Sequence, residues 1–116
     1  MNKVIRDGRV AVLYSPGYGA GRYTWNSARG ESVEQSLSLI FDPILVELVE
    51  KRNEDNRWEF TQKIEHRAEE ILPEGYFGGS DDLTIAWLSV DTKFIIQEYD
   101  GSESILTEEN EQWLIT

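Results

Sequence analysis

Two Asp-Gly steps, Asp7-Gly8 and Asp100-Gly101, each divide a pair of short apolar runs. Both residues tolerate the positive φ of a two-residue turn, so such a step folds the chain back on itself as an antiparallel hairpin. The first separates Val4-Ile5-Arg6 from residues 9–15, and the second separates 94–99 from 102–107. Asp91-Thr92-Lys93 marks a further turn after an apolar run at 83–90. In residues 9–15, Val10, Val12 and Tyr14 alternate with Ala11 and Leu13, which predicts a strand buried on both faces. Pro16 lacks an N–H and ends its pairing. The chain therefore has strands at both ends, with the middle left for another kind of element.

That middle is helical. Residues 31–41 fit two patterns: Val33, Leu37 and Ile40 keep helical spacing, while Leu37, Leu39 and Phe41 alternate as in a strand. Asp42-Pro43 is an N-cap followed by a first-turn proline. Ile44, Leu45, Leu48 and Val49 then share one helical face. Lys51 and Arg52 complement the negative end of the dipole. A second helix is expected over 55–72, with Phe60, Ile64, Ala68 and Ile71 inward and Pro73 and Gly75 as stops. Trp58 and Trp87 are expected in the core. Glu59, Lys63, Glu65, Arg67, Glu69 and Glu70 form its solvated face. The order predicts one domain over 1–116 of the α+β class. Its mostly antiparallel sheet has about five strands, with two to three helices packed on one face.

The composition narrows the chemistry. Apolar residues make up 40% of the chain, enough for a core without staples, and there is no cysteine for a disulfide or thiolate metal site. No apolar run approaches the roughly 20 residues that cross a bilayer, and the N-terminus does not read as a signal peptide, so the expected location is cytoplasmic, with no membrane partner. The net charge is −11, which excludes extended nucleic acid held over the whole surface. The charge is uneven. Residues 1–30 hold five basic residues against one acid, leaving six basic and twenty-one acidic residues for the rest.

Within that basic segment lies Ser15-Pro16-Gly17-Tyr18-Gly19-Ala20-Gly21-Arg22-Tyr23-Thr24-Trp25-Asn26. Successive N–H groups of a glycine-rich turn can cradle an anion. Gly17, Gly19 and Gly21 would supply them, and Asn26 joins the same surface. Arg22 or Arg29 would add charge-assisted hydrogen bonds, and Tyr18, Trp25 or Phe77 would stack on a base. The spacing matches neither the dinucleotide fingerprint nor the phosphate-loop lysine motif. A plain structural use, closing the end of the sheet with its own aromatics, stands beside the binding reading. The same two readings hold for the second glycine and aromatic loop, residues 76–82, which would complete a pocket with the first. Asp81-Asp82 reads as capping or solvated. His66, the sole histidine, reads as a surface residue, so no metal site, cofactor or catalytic set is expected. Trp25 and Trp113 fall outside the core patterns, and Trp113-Leu114-Ile115, if exposed, points to a homo-oligomer.

Residues 6–21, followed by Thr24-Trp25-Asn26, resemble a family of small uncharacterised proteins of tailed phages and bacteria. Phe41-Asp42-Pro43 with Leu48-Val49-Glu50, Gly75-Tyr76-Phe77-Gly78-Gly79, and Glu98-Tyr99-Asp100-Gly101 with Glu103 fit the same pattern. Arg22 departs from it, standing where an aromatic is usual. The resemblance brings no catalytic assignment. It implies a phage-type accessory (anti-defence) role, and with the loops it gives the leading expectation: a non-catalytic binding protein that sequesters a small nucleotide-like ligand. Two alternatives remain at this point. One is an acidic inhibitor of a basic host protein, motivated by the acids of residues 31–116. The other is a small nucleotide- or sugar-processing enzyme.

Overall fold

Asp7 and Gly8 take φ of 52° and 75° and turn β1 (Ile5–Arg6) onto β2 (Arg9–Tyr14), as the Asp-Gly step predicts. This structure is a computed structural model that describes residues 3–16, 33–73, 77, 79–99 and 102–107. Arg6 opposes Arg9 and Ile5 opposes Val10. On its other edge β2 pairs over its whole length with β3 (Thr84–Ser89), from Arg9 opposite Ser89 to Tyr14 opposite Thr84. A second antiparallel ribbon joins β4 (Phe94–Tyr99) to β5 (Ser102–Thr107), with Phe94 opposite Thr107 and Tyr99 opposite Ser102.

The described strands thus form sheets of three and two, rather than one sheet of about five. β1 is short and occupies only the first part of its edge of β2. Further along the same edge the ladder meets β5 at one point, where Glu103 N–H donates to Ser15 C=O at 2.7 Å. Pro16 follows and has no N–H with which to continue the pairing. The ribbon then crosses over β2 instead of extending its sheet.

Among the described residues three helices lie between β2 and β3 in the chain: α1 (Val33–Phe41), α2 (Pro43–Lys51) and α3 (Arg57–Ile71). The helical spacing prevails in the ambiguous segment before Asp42. Leu37, Ile40 and Phe41 share one side and pack toward Val12, while Leu39 joins the opposite core cluster. The Asp42 carboxylate accepts from Leu45 N–H at 2.9 Å, as expected of an N-cap, and Pro43 opens α2.

β2 is buried on both faces. Ala11 and Leu13 face Leu45, Val46, Ile64, Ala68 and Leu72 of the α2–α3 region. Val12 lies with Ile40 and Phe41, against Phe94, Ile96 and Ile105 of the second ribbon. The phenyl rings of Phe41 and Phe94 meet edge to face, 6.1 Å apart. α1 supplies side chains to both clusters, Leu39 to the first and Ile40 and Phe41 to the second.

Several helical assignments change. Val46 is buried and Ile44 is exposed, turned to the outer groove beside Lys63 and His66. On α3 the buried residues are Thr61, Ile64 and Ala68. Trp58 is 78% exposed and is no part of the core. It precedes Ile64 by six positions, which at the helical period rotates it about 120° away from the inward direction. Trp87 is half-buried against the helical core, with the Arg6 guanidinium 5.3 Å from its ring centre.

Two residues expected on the solvated face of α3 turn inward. Arg67 makes two hydrogen bonds to the Asp42 carboxylate, 2.8 and 3.0 Å long. Those bonds hold its guanidinium above its ordinary pKa, against the opposing effect of burial. Glu65 accepts from Ser80 Oγ at 2.6 Å. No described helix is long and apolar enough to cross a membrane.

Candidate functional site

The roots of the two glycine-rich loops meet at Ser15. Its position is fixed by β2, whose odd-numbered side chains point into the helical core, and it is fully buried. Its hydroxyl donates to Gly79 C=O at 2.6 Å, its N–H donates to the Glu103 carboxylate at 2.7 Å, and its C=O accepts from Glu103 N–H. One residue further on, Pro16 C=O accepts from Ser102 Oγ at 2.6 Å. The start of the first loop is thereby tied to the second loop and to the start of β5.

Gly79 reaches this junction because it adopts φ of 88°, a left-handed conformation that glycine takes without a Cβ clash. Its C=O also accepts from Asp82 N–H at 3.0 Å, which closes a 3₁₀ turn, Ser80–Asp82. Asp81 and Asp82 thus belong to this turn and not to a strand start. Asp81 accepts from Thr61 Oγ1 at 3.1 Å, and its C=O accepts from Arg57. Asp82 lies 3.5 Å from Arg57. Neither carboxylate is arranged as an acid–base pair.

Arg52 secures the other side of this turn. It is half-buried, and Nη1 donates to Ser80 C=O at 2.8 Å and to Thr61 Oγ1 at 3.2 Å, while Nη2 donates to Leu83 C=O at 2.8 Å. Rather than resting on the end of α2, it bridges α2, α3 and the approach to β3. Desolvation and then the charge of Arg57 push its pKa down, against smaller upward pulls from Asp81 and Asp82. An open cleft of about 460 Å³ lies alongside, between Pro16, Val49, Arg52, Arg57, Asp82 and Thr84.

Of the residues that sequence analysis assigns to a ligand, Gly17, Tyr18, Gly19, Gly21, Arg22, Trp25, Asn26 and Arg29 lie outside the described residues, as do Trp113, Leu114 and Ile115. Phe77 is described. It packs half-buried against the helical core, and its C=O accepts from Ser80 N–H at 3.3 Å. Ser15, Glu103, Arg52 and Arg57 are the residues that sequence reasoning misses. Glu103 carries a legible signal: it shares the inward row of β5 with Ile105 and Thr107, a place where a carboxylate needs a partner. Arg52 carries none, because its acceptors are distant in sequence.

His66 is exposed, 3.8 Å from Glu70 one helical turn away. Among the described residues no three histidine, aspartate or glutamate side chains cluster as metal ligands would. The arrangement holds Arg52 and Arg57 in fixed places through bonds to the backbone carbonyls of the Ser80–Asp82 turn and Leu83. No family model, curated protein or solved structure matches the chain.

Proposed function

We propose that this chain is a non-catalytic binding protein of the phage accessory type, which sequesters a small nucleotide-like ligand through residues 16–29 and 76–82. One observation carries the reading: Ser15 joins the root of the first loop to Gly79 of the second, at 2.6 Å. Two glycine and aromatic segments that leave one clasped junction can act on one ligand. The glycines supply backbone donors, Arg22 or Arg29 a phosphate partner, and Tyr18, Trp25 or Phe77 a stacking surface.

Calorimetry with a panel of nucleotides, including cyclic dinucleotides and cyclic ADP-ribose isomers, tests this. Saturable binding is expected, weakened at least tenfold by Trp25→Ala or Arg29→Ala, with the ligand recovered at unchanged mass. A panel that gives neither heat nor thermal shift overturns the reading. A ligand recovered with altered mass replaces it with the enzyme alternative. The acidic-inhibitor alternative has less to draw on, since Glu65 is engaged by Ser80 and Glu70 lies beside Arg67 and His66.

A further inference from the structure

Arg52 is half-buried, yet its three acceptors, two carbonyls and a hydroxyl, are all neutral. Asp81 and Asp82 lie near enough to act on its charge but make no direct bond to it, so its direct partners offset only part of the cost of taking a cation partly out of water. The three bonds also fix the plane of the guanidinium. Nε–H and the second Nη2–H have no acceptor among the described residues. Arg52 lines the open cleft, and so does Arg57.

Two carboxylates also line the cleft, and each has a cation of its own. Glu50 is held by Arg6 through two bonds of 2.6 and 2.9 Å, and Asp82 lies 3.5 Å from Arg57. The apolar side chains of Val49, Leu83 and Ile85 complete the wall, and Pro16 sets the first loop's root at the rim.

We infer that this cleft is a phosphate-ester subsite, in which the remaining Nε–H and Nη2–H donors of Arg52 bond the phosphate oxygens and Arg57, at the rim beside Asp82, adds a second cation. A planar fork held in advance is the arrangement that matches a phosphate with little ordering cost. The inference deepens the nucleotide reading and rests on it for the molecule that carries the phosphate. It assigns the phosphate to residues of α2 and α3, separate from the loop arginines. If Arg52 is only a clasp for the Ser80–Asp82 turn, the cleft has no affinity for anions.

Titration of isotopically labelled protein with inorganic pyrophosphate, followed through the arginine Nε–H resonances, distinguishes the two. The Arg52 signal is expected to shift saturably, and Arg57→Gln to weaken the binding several-fold. Thr84→Glu places a carboxylate at the cleft without removing any bond made by Arg52, and at least a tenfold loss is expected from it. An unmoved Arg52 signal at millimolar pyrophosphate, or a shift indifferent to Thr84→Glu, overturns the inference. Nucleotides that bind while leaving the Arg52 signal unmoved also overturn it, and leave the loop reading standing. Pyrophosphate bound here with no nucleotide bound anywhere sustains the cleft and removes the loop reading.

Discussion

Ser15 and Glu103, 88 positions apart, are joined by two hydrogen bonds of 2.7 Å, one between backbones and one from the Ser15 N–H to the Glu103 carboxylate. The side chain of Glu103 thereby takes the place of a strand partner where Pro16 prevents the ladder from continuing. The hydrogen bond it accepts offsets part of the cost of burying that carboxylate, and the junction fixes the point from which the first glycine-rich loop departs.

Glu103→Leu removes the acceptor and leaves the Ser15 N–H buried without one. The expected loss is about 2 kcal/mol in urea unfolding, the penalty for an orphaned buried donor. Glu103→Gln keeps an acceptor oxygen, and its loss is expected to stay under about 1 kcal/mol. Equal losses in the two variants would mean that the charge matters and the acceptor does not.

Gly8 isolates a backbone effect. A Cβ built there meets nothing within 4 Å, so only its φ of +75° opposes a side chain. Gly8→Ala is expected to cost about 1–2 kcal/mol in thermal or urea unfolding, and Gly8→Asn less. Alanine tolerated at no cost would show that the Asp7-Gly8 turn does not need its left-handed geometry.

Asp42 serves two elements at once, capping α2 through Leu45 N–H and receiving the Arg67 guanidinium from α3. Asp42→Ala is expected to cost about 3 kcal/mol, of which roughly 1 kcal/mol is the lost cap and the rest an arginine left without its partner. Asp42→Asn preserves the cap acceptor, so an intermediate loss is expected. If both variants unfold at the same denaturant concentration, the cap to Leu45 contributes nothing beyond the contact to Arg67.

Trp58 and Ile64 on the same helix behave oppositely. Trp58→Ala is expected to change stability by no more than about 0.5 kcal/mol, as for an exposed position. Ile64→Ala, at a fully buried position, is expected to cost about 2–5 kcal/mol. A large loss from Trp58→Ala in the monomer would place that ring against the body of the protein.

What the sequence reveals and what it hides follow the range of the forces involved. The hairpins at Asp7-Gly8 and between β4 and β5 are legible because turn chemistry is local, and the two-sided burial of β2 is legible because strand alternation is. The split into two sheets is not, because β5 meets the first sheet's strand only just past its end, through the distant contact of Glu103 to Ser15. Trp58 misleads because its hydrophobicity says nothing of helical phase, and the phase is set by Ile64 and Ala68. Arg52 reads as a helix-end cation, since its acceptors Ser80 and Leu83 lie 28 and 31 positions on. The loop residues from Gly17 to Arg29 are singled out by composition alone. Of the proposed site, the structure describes Pro16, Phe77 and residues 79–82, with Ser15 at the junction beside them.

If the two loops departing from the Ser15 junction hold one nucleotide-like ligand, the backbone amide spectrum of the labelled protein, titrated with the tightest nucleotide of the panel, reports it at that junction. The amides of Ser15, Phe77, Gly79, Ser80 and Glu103 are expected to move together, along one saturation curve. Shifts confined to the outer α2–α3 groove around Ile44 and His66, or movement of one loop's root without the other's, would contradict the account.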